Sequence, residues 1–325
     1  MCTRVLWNTN QSIVVCGRSM DWPESTEPKL IIFPRGIKRD GGKIGSDVLV
    51  KENPLQWTSK YGSVVTSAYG AGAVDGLNEK GLGVNMLYLT VTDYGVRDNR
   101  KAGVQAMLWL QYLLDTAASV KEALELMKGI QPIMVEFNNH KLSVHLTLED
   151  ASRDSAIIEY VDGMLKVYHG LQYQVMTNDP PYDQQLIHFK KFDFTNATRE
   201  TPLPGNVDPI SRFIRSNYFL KTQREPKSER EAIAAILSIV RNASVPINAP
   251  YKTPGTIYDT EYRTVLDLTN KRYFFELATS PNLVWLSLEK FDLSAGASGW
   301  VLDPNNISLS GDISDKFEEV EHLPF

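Results

Sequence analysis

Two apolar runs around a polar break open the chain: Cys2-Thr3-Arg4-Val5-Leu6-Trp7, the loop Asn8-Thr9-Asn10-Gln11, and Ile13-Val14-Val15-Cys16-Gly17-Arg18. β-Branched and aromatic residues bounded by Asn and Thr read as an antiparallel hairpin, with strands over 2–7 and 12–20. A turn centred on Thr9–Asn10–Gln11 sets Cys2 across from Arg18, Leu6 across from Val14 and Cys16 across from Arg4. Alternation then puts Cys2, Arg4 and Leu6 on one face.

Outward from this hairpin, strands are expected over 61–68 and 82–89, with the Gly-rich stretch Gly70–Gly76 between them as a mobile loop. That stretch has no Lys-Ser/Thr ending, so it is not a phosphate loop. Helical periodicity runs over 102–117, and a second helix over 119–128 opens with Ser119 and Glu122 at capping-box spacing. Four short strands follow at about 141–149, 154–161, 164–169 and 172–177. Loop with some helix covers 179–210, helices cover 211–221 and 229–241, and strands return at 261–268, 272–279 and 283–290. The tail over 292–325 reads as mostly irregular. Because helices come in pairs between groups of strands, the order argues for antiparallel sheets with helices outside. The expected fold is α+β, a four-layer αββα sandwich, as one domain over 1–325.

Composition narrows the function. With 42% apolar and 22% charged residues and a net charge of −5, the chain is globular and a poor ligand for nucleic acid or anionic membranes. Its longest apolar run, Ala232–Val240, is far short of the ~20 residues of a membrane helix. Two cysteines exclude a disulfide framework, and the five histidines lack metal-ligand spacing, so neither metal nor cofactor is expected. No leader-like segment follows Met1-Cys2-Thr3. The expectation is therefore a cytoplasmic protein, or a periplasmic one whose leader has been removed.

The chemistry is sought at Cys2. Once Met1 is removed, thiol and free α-amine share one residue. A free α-amine titrates near ~7.7–8.0, close enough to neutrality to act as general base to a neighbouring thiol. Arg18, a charge within an apolar strand, favours a thiolate at Cys2. Asp21, just past that strand, is placed to accept from the α-amine. A non-catalytic binding module and a cysteine-dependent redox protein are the readings from other classes. The second needs Cys16 opposite Cys2, which the register denies.

Several segments carry a family resemblance: Met1-Cys2-Thr3-Arg4, Gly17-Arg18-Ser19-Met20-Asp21-Trp22, Trp57–Val64, Asp75–Leu82, Tyr173-Gln174-Val175-Met176-Thr177-Asn178, Ser211–Arg215 and Arg241–Pro246. Together they resemble the cholylglycine hydrolase / penicillin V acylase family of N-terminal-nucleophile hydrolases, closest to its Gram-negative penicillin V acylase-like branch. The resemblance implies the αββα fold, with Cys2 as nucleophile and base, and Arg18 and Asp21 lining it. It also implies Asn178 as an oxyanion-hole amide and Arg212 as the second arginine, with Arg263 in reserve. It implies hydrolysis of a small amide and a homotetramer. Tyr88 stands where bile-salt hydrolases carry an asparagine. With Trp22 it makes an aromatic substrate-binding pair, which favours an acylase over bile-salt hydrolysis. Deacylation of N-acyl-homoserine lactones is a further alternative.

Overall fold

Val, Ile, Leu and aromatic residues fill two large sheets whose facing sides hold the interior of the protein. The computed structural model describes residues 2–137, 140–198, 200–249 and 258–325. In chain order its first half holds β1 (Cys2–Trp7), β2 (Val15–Asp21), β3 (Lys29–Phe33), β4 (Ser63–Ala68), β5 (Gly72–Asn78), β6 (Leu82–Tyr88), α1 (Ala106–Thr116), α2 (Val120–Leu126), β7 (Val144–Asp150) and β8 (Ser155–Val161). The second half holds β9 (Met164–His169), β10 (Val175–Met176), α3 (Tyr182–Phe189), α4 (Pro209–Lys221), α5 (Glu229–Ala243), β11 (Thr260–Asp267), β12 (Arg272–Leu277), β13 (Val284–Ser287), β14 (Gly299–Leu302), β15 (Gly311–Asp312) and β16 (Glu318–Val320). Short two-stranded ribbons complete the set.

The seven-stranded sheet runs β10-β1-β2-β11-β12-β13-β15 and is antiparallel except at its last pairing, which is parallel. The nine-stranded sheet runs β9-β8-β7-β6-β5-β4-β3-β14-β16. Helices α4 and α5 pack on β1 and β2, while α1 and α2 pack on β5, β6 and β7. The result is the expected αββα sandwich.

Local chemistry explains the helix positions. Asp208 caps α4 through Ser211 N with Pro209 in the first turn, Ser228 caps α5 through Glu231 N, and Ser119 caps α2 through Glu122 N. Two glycines let helices lie close on the sheets. A Cβ at Gly17 would meet Ile236 Cγ2 of α5 at 2.5 Å, and one at Gly76 would meet Leu114 Cδ1 of α1 at 2.7 Å.

Four expectations need correction. The first hairpin pairs Cys2 with Met20, Arg4 with Arg18 and Leu6 with Cys16, a shift of two residues. Asn10 Oδ1 accepts from Ser12 N at 3.0 Å and Ile13 N at 2.9 Å, so the loop is wider than expected and β2 begins only at Val15. Second, Gly72–Asn78 is not a loop but strand β5, paired with β4 and β6. Third, residues Ala102–Gln105, read as helix, form a strand parallel to Ile130–Ile133, and Gly103 and Val104 suit that better than a helix. Fourth, the tail contributes β14, β15 and β16, and β3 was not expected at all.

Candidate active site

Cys2 begins β1 at the interface between the two sheets and is 2% exposed. The corrected register keeps Cys2 and Arg18 on the same face, because a slip of two preserves alternation. Arg18 sits opposite Arg4 and reaches diagonally back. Its Nη2 donates to Cys2 Sγ at 3.0 Å and to Met20 Sδ at 3.2 Å. Its Nη1 donates to Val74 O at 2.7 Å and lies 3.3 Å from Asp75 Oδ2. Burial works against the guanidinium's charge, yet the opposing charges of Cys2 and Asp75 outweigh it and Arg18 is held charged more firmly than usual.

The backbone of Cys2 is gripped from a second direction. Its N–H donates to Asn178 Oδ1 at 2.6 Å, and its carbonyl accepts from Arg212 Nη1 at 2.7 Å. Arg212 Nη2 also donates to Asn178 Oδ1 at 3.0 Å, and Nη1 lies 3.5 Å from Asp21 Oδ2. Asp21 Oδ1 accepts from Thr260 Oγ1 at 2.6 Å. Arg212 is fully buried one turn into α4, where Asp208 fixes the helix start and Val207 O accepts from Arg212 Nε at 2.9 Å. Asn178 follows β10; Gln185 Nε2 of α3 donates to its carbonyl at 2.6 Å. Its side-chain Nδ2 donates to Tyr88 O at 2.8 Å. Thr90 donates to Asp179 through N and Oγ1, at 3.1 and 2.8 Å, tying the end of β6 to this turn.

An apolar pocket opens onto Cys2. Trp22 and Tyr88 both line it, their ring centroids 5.6 Å apart at 59°. Trp22 is fixed by donation from its Nε1 to Tyr69 Oη at 2.9 Å, and Tyr69 Oη donates to Glu24 Oε1 at 2.8 Å. Val74, Met107, Leu142 and Val144 continue the wall. Such a lining suits an apolar group delivered to the sulfur.

Of the residues expected at the site, Cys2, Arg18, Asp21, Asn178, Arg212, Trp22 and Tyr88 come together. Arg263 does not. It pairs with Ser19 on the face turned to the helices, donating to Ser244 Oγ at 2.7 Å and lying 3.1 Å from Glu276 Oε2. Sequence reasoning missed Asp75, Tyr273 and the pocket residue Met107. Alternation within Gly72–Asn78 was the available signal for Asp75, and it was obscured by reading glycines as loop.

A two-sheet sandwich flanked by helices, with a thiol at the head of strand β1, is the N-terminal-nucleophile hydrolase architecture. Within it the chain belongs to the choloylglycine hydrolase family of linear amide C–N hydrolases, whose family model matches residues 2–308. It is 36% identical to penicillin V acylase from Pectobacterium atrosepticum, over 100% of this chain and 92% of that protein. It is 24% identical to the bile salt hydrolase/transferase of Clostridium perfringens, over 90% of this chain and 94% of that protein. The solved structure of penicillin V acylase from Agrobacterium tumefaciens superposes with a TM-score of 0.88 at 36% identity, covering 100% of this chain and 98% of the other. The protein is a hydrolase of linear amides.

Proposed function

We propose that the protein is a penicillin V acylase-type amidase that removes an acyl side chain from a small amide, with Cys2, freed of Met1, as nucleophile. The observation that carries this reading is the Cys2 sulfur beside an apolar pocket that Cys2 lines, with Arg18 Nη2 at 3.0 Å. The α-amine takes the thiol proton and the sulfur attacks the substrate carbonyl carbon. Asn178, through the Nδ2 hydrogen not given to Tyr88 O, and a backbone N–H stabilise the tetrahedral oxyanion. Collapse breaks the C–N bond, the leaving amine takes the proton held by the ammonium, and an acyl thioester remains on Cys2. Water, activated by the α-amine, then attacks the thioester, releasing the acid and restoring the thiol. Arg18 compensates the sulfur's negative charge. Arg212 and Asp21 hold Asn178 and the Cys2 backbone in register, and no metal or cofactor enters.

Trp22 and Tyr88 favour a flat aryl or slim acyl group over a steroid, which supports the acylase reading over bile-salt hydrolysis. The family resemblance further supports one catalytic domain and a homotetramer. The test is an amidase panel of penicillin V, glycocholate and a long-chain N-acyl-homoserine lactone, run on protein whose N-terminus is shown to be cysteine. Release of the acyl acid from penicillin V, dependent on Cys2, is the expected result. No turnover of any of the three by such protein overturns the reading.

A further inference from the structure

Behind Arg18 lies a second set of buried polar groups that the reaction above does not use. Arg18, Asp75, Tyr273 and Thr66 are all fully buried between the sheets. Tyr273 Oη of β12 donates to Asp75 Oδ1, and it accepts from Thr66 Oγ1 at 2.5 Å. Asp75 Oδ2 makes no hydrogen bond among the described residues and meets Arg18 as a bare ion pair at 3.3 Å. A line of contacts therefore runs from the nine-stranded sheet through Arg18 to the sulfur, with Asp75 on Nη1 and Cys2 on Nη2.

Resting on the cysteine-nucleophile reading, we propose that Asp75 is a positioning residue. It holds Arg18 from the side opposite Cys2 and sets how much of the guanidinium's charge reaches the sulfur. Two negative partners share one cation in the buried space between the sheets. In such a medium each draws strongly on its charge, and a buried charge left with one partner too few is costly. Desolvation pushes the Asp75 carboxyl up on balance, and the charge of Arg18 and the Tyr273 hydroxyl work against that rise. The other ionisable groups around the array are Tyr262 from β11, whose hydroxyl has no hydrogen-bond partner among the described residues, Glu149 from β7, and Asp21 with Arg212 on the far side of Cys2.

The sign follows. Asp75→Asn keeps the shape and removes the competing charge, so Arg18 is left to the sulfur alone. The pH midpoint of Cys2 alkylation by iodoacetamide should then move to lower pH, with the protein still melting cooperatively. At the same time kcat should fall about tenfold as Arg18 loses the ion pair that aims it, while KM stays near the wild-type value. A folded Asp75→Asn protein with an unchanged or raised alkylation midpoint overturns the proposal, because a purely structural ion pair has no reason to tune the sulfur downward. Should Asp75→Asn fail to fold, Tyr273→Phe answers instead. It frees Asp75 without altering charge, so kcat should fall with KM preserved, and wild-type kcat in that variant overturns the proposal. Alkylation is read without any substrate, so it is independent of whether Cys2→Ala abolishes turnover, the separate test of the cysteine reading.

Discussion

Arg18 Nη2 stands 3.0 Å from Cys2 Sγ although the two residues are not cross-strand partners: Cys2 pairs with Met20, and Arg18 with Arg4. The contact exists because a long guanidinium on the same face spans the diagonal. It is also aimed, since Val74 O and Asp75 occupy the other terminal nitrogen. A fixed cation beside a thiol at a strand terminus leaves the backbone nitrogen of Cys2 as the remaining variable.

That nitrogen decides the first prediction. It donates to Asn178 Oδ1 at 2.6 Å. As an amide it cannot take a proton from the thiol; as a free amine it can. Protein shown by mass spectrometry to keep Met1 uniformly should fold and be inactive. Full turnover by such a preparation would sink the mechanism.

The second prediction separates the two thiols. Cys2→Ala should abolish activity with an unchanged melting temperature, and Cys2→Ser should retain a trace at most, since a hydroxyl ionises far less readily. Cys16 should be silent. Burial and the charge of Glu149 push its thiol well up, with Arg4 opposing, so below that raised value it stays protonated as well as enclosed. Iodoacetamide at mildly alkaline pH should therefore label Cys2 alone in the native protein. Peptide mapping that finds Cys16 modified at a comparable rate would contradict this.

Asn178 and Arg212 form the third. Asn178→Ala should lower kcat by about 10²–10³ with a smaller change in KM, as expected for an oxyanion donor. Arg212 touches the Cys2 carbonyl and Asn178, whereas Arg215, on the same helix, donates to Pro204 O at 2.9 Å and Asn206 O at 2.6 Å in the preceding loop. Steady-state kinetics should show Arg212→Ala far more damaging than Arg215→Ala. Equal losses would count against the role given to Arg212.

Gly17 carries the fourth, which concerns packing. On β2 it faces α5, and an added methyl would be 2.5 Å from Ile236 Cγ2 and 2.8 Å from Val240 Cγ2. Gly17→Ala should cost about 1–3 kcal/mol through overpacking, read as a lower denaturation midpoint. A midpoint equal to wild type would mean that α5 yields without cost.

The hairpin, the paired helices and the approach of Arg18 to Cys2 were legible because they rest on local signals, alternation and caps, while Asn178 and Arg212 entered only through the family resemblance of the segments that carry them. What escaped depends on partners far along the chain. The register slipped by two because Asn10 folds its side chain into the loop, which composition does not show. Gly72–Asn78 reads as loop by its glycines, yet Gly72 and Gly76 are there to admit α1, and that reason appears only once α1 is packed. Residues 299–302 lack a run long enough to declare a strand, and pairing with β3 supplies the missing stability. Asp75 gained its place only when β5 did.

The fifth prediction concerns substrate choice. Trp22 and Tyr88 stand 5.6 Å apart on the pocket wall, and Trp22 cannot easily swing away, because its indole N–H is bound by Tyr69, itself bound to Glu24. The opening beside Cys2 is thus set by two rings of fixed position. A flat aryl group can stack there, and aromatic pairs add about 0.5–1.5 kcal/mol beyond burial, roughly threefold to tenfold in binding. A fused steroid needs an open groove, which two large rings tend to narrow. The expected order is a higher kcat/KM for penicillin V than for glycocholate. Tyr88→Asn removes one ring, widens the mouth and should narrow that gap, while the backbone carbonyl that Asn178 binds remains in place. Tyr69→Phe offers an independent handle, since it releases the Trp22 indole without touching Cys2 and should blunt the preference in the same direction. A native enzyme that prefers glycocholate would refute the assignment. An unchanged ratio in Tyr88→Asn would move the selectivity away from this ring and onto other lining residues such as Met107 and Leu142.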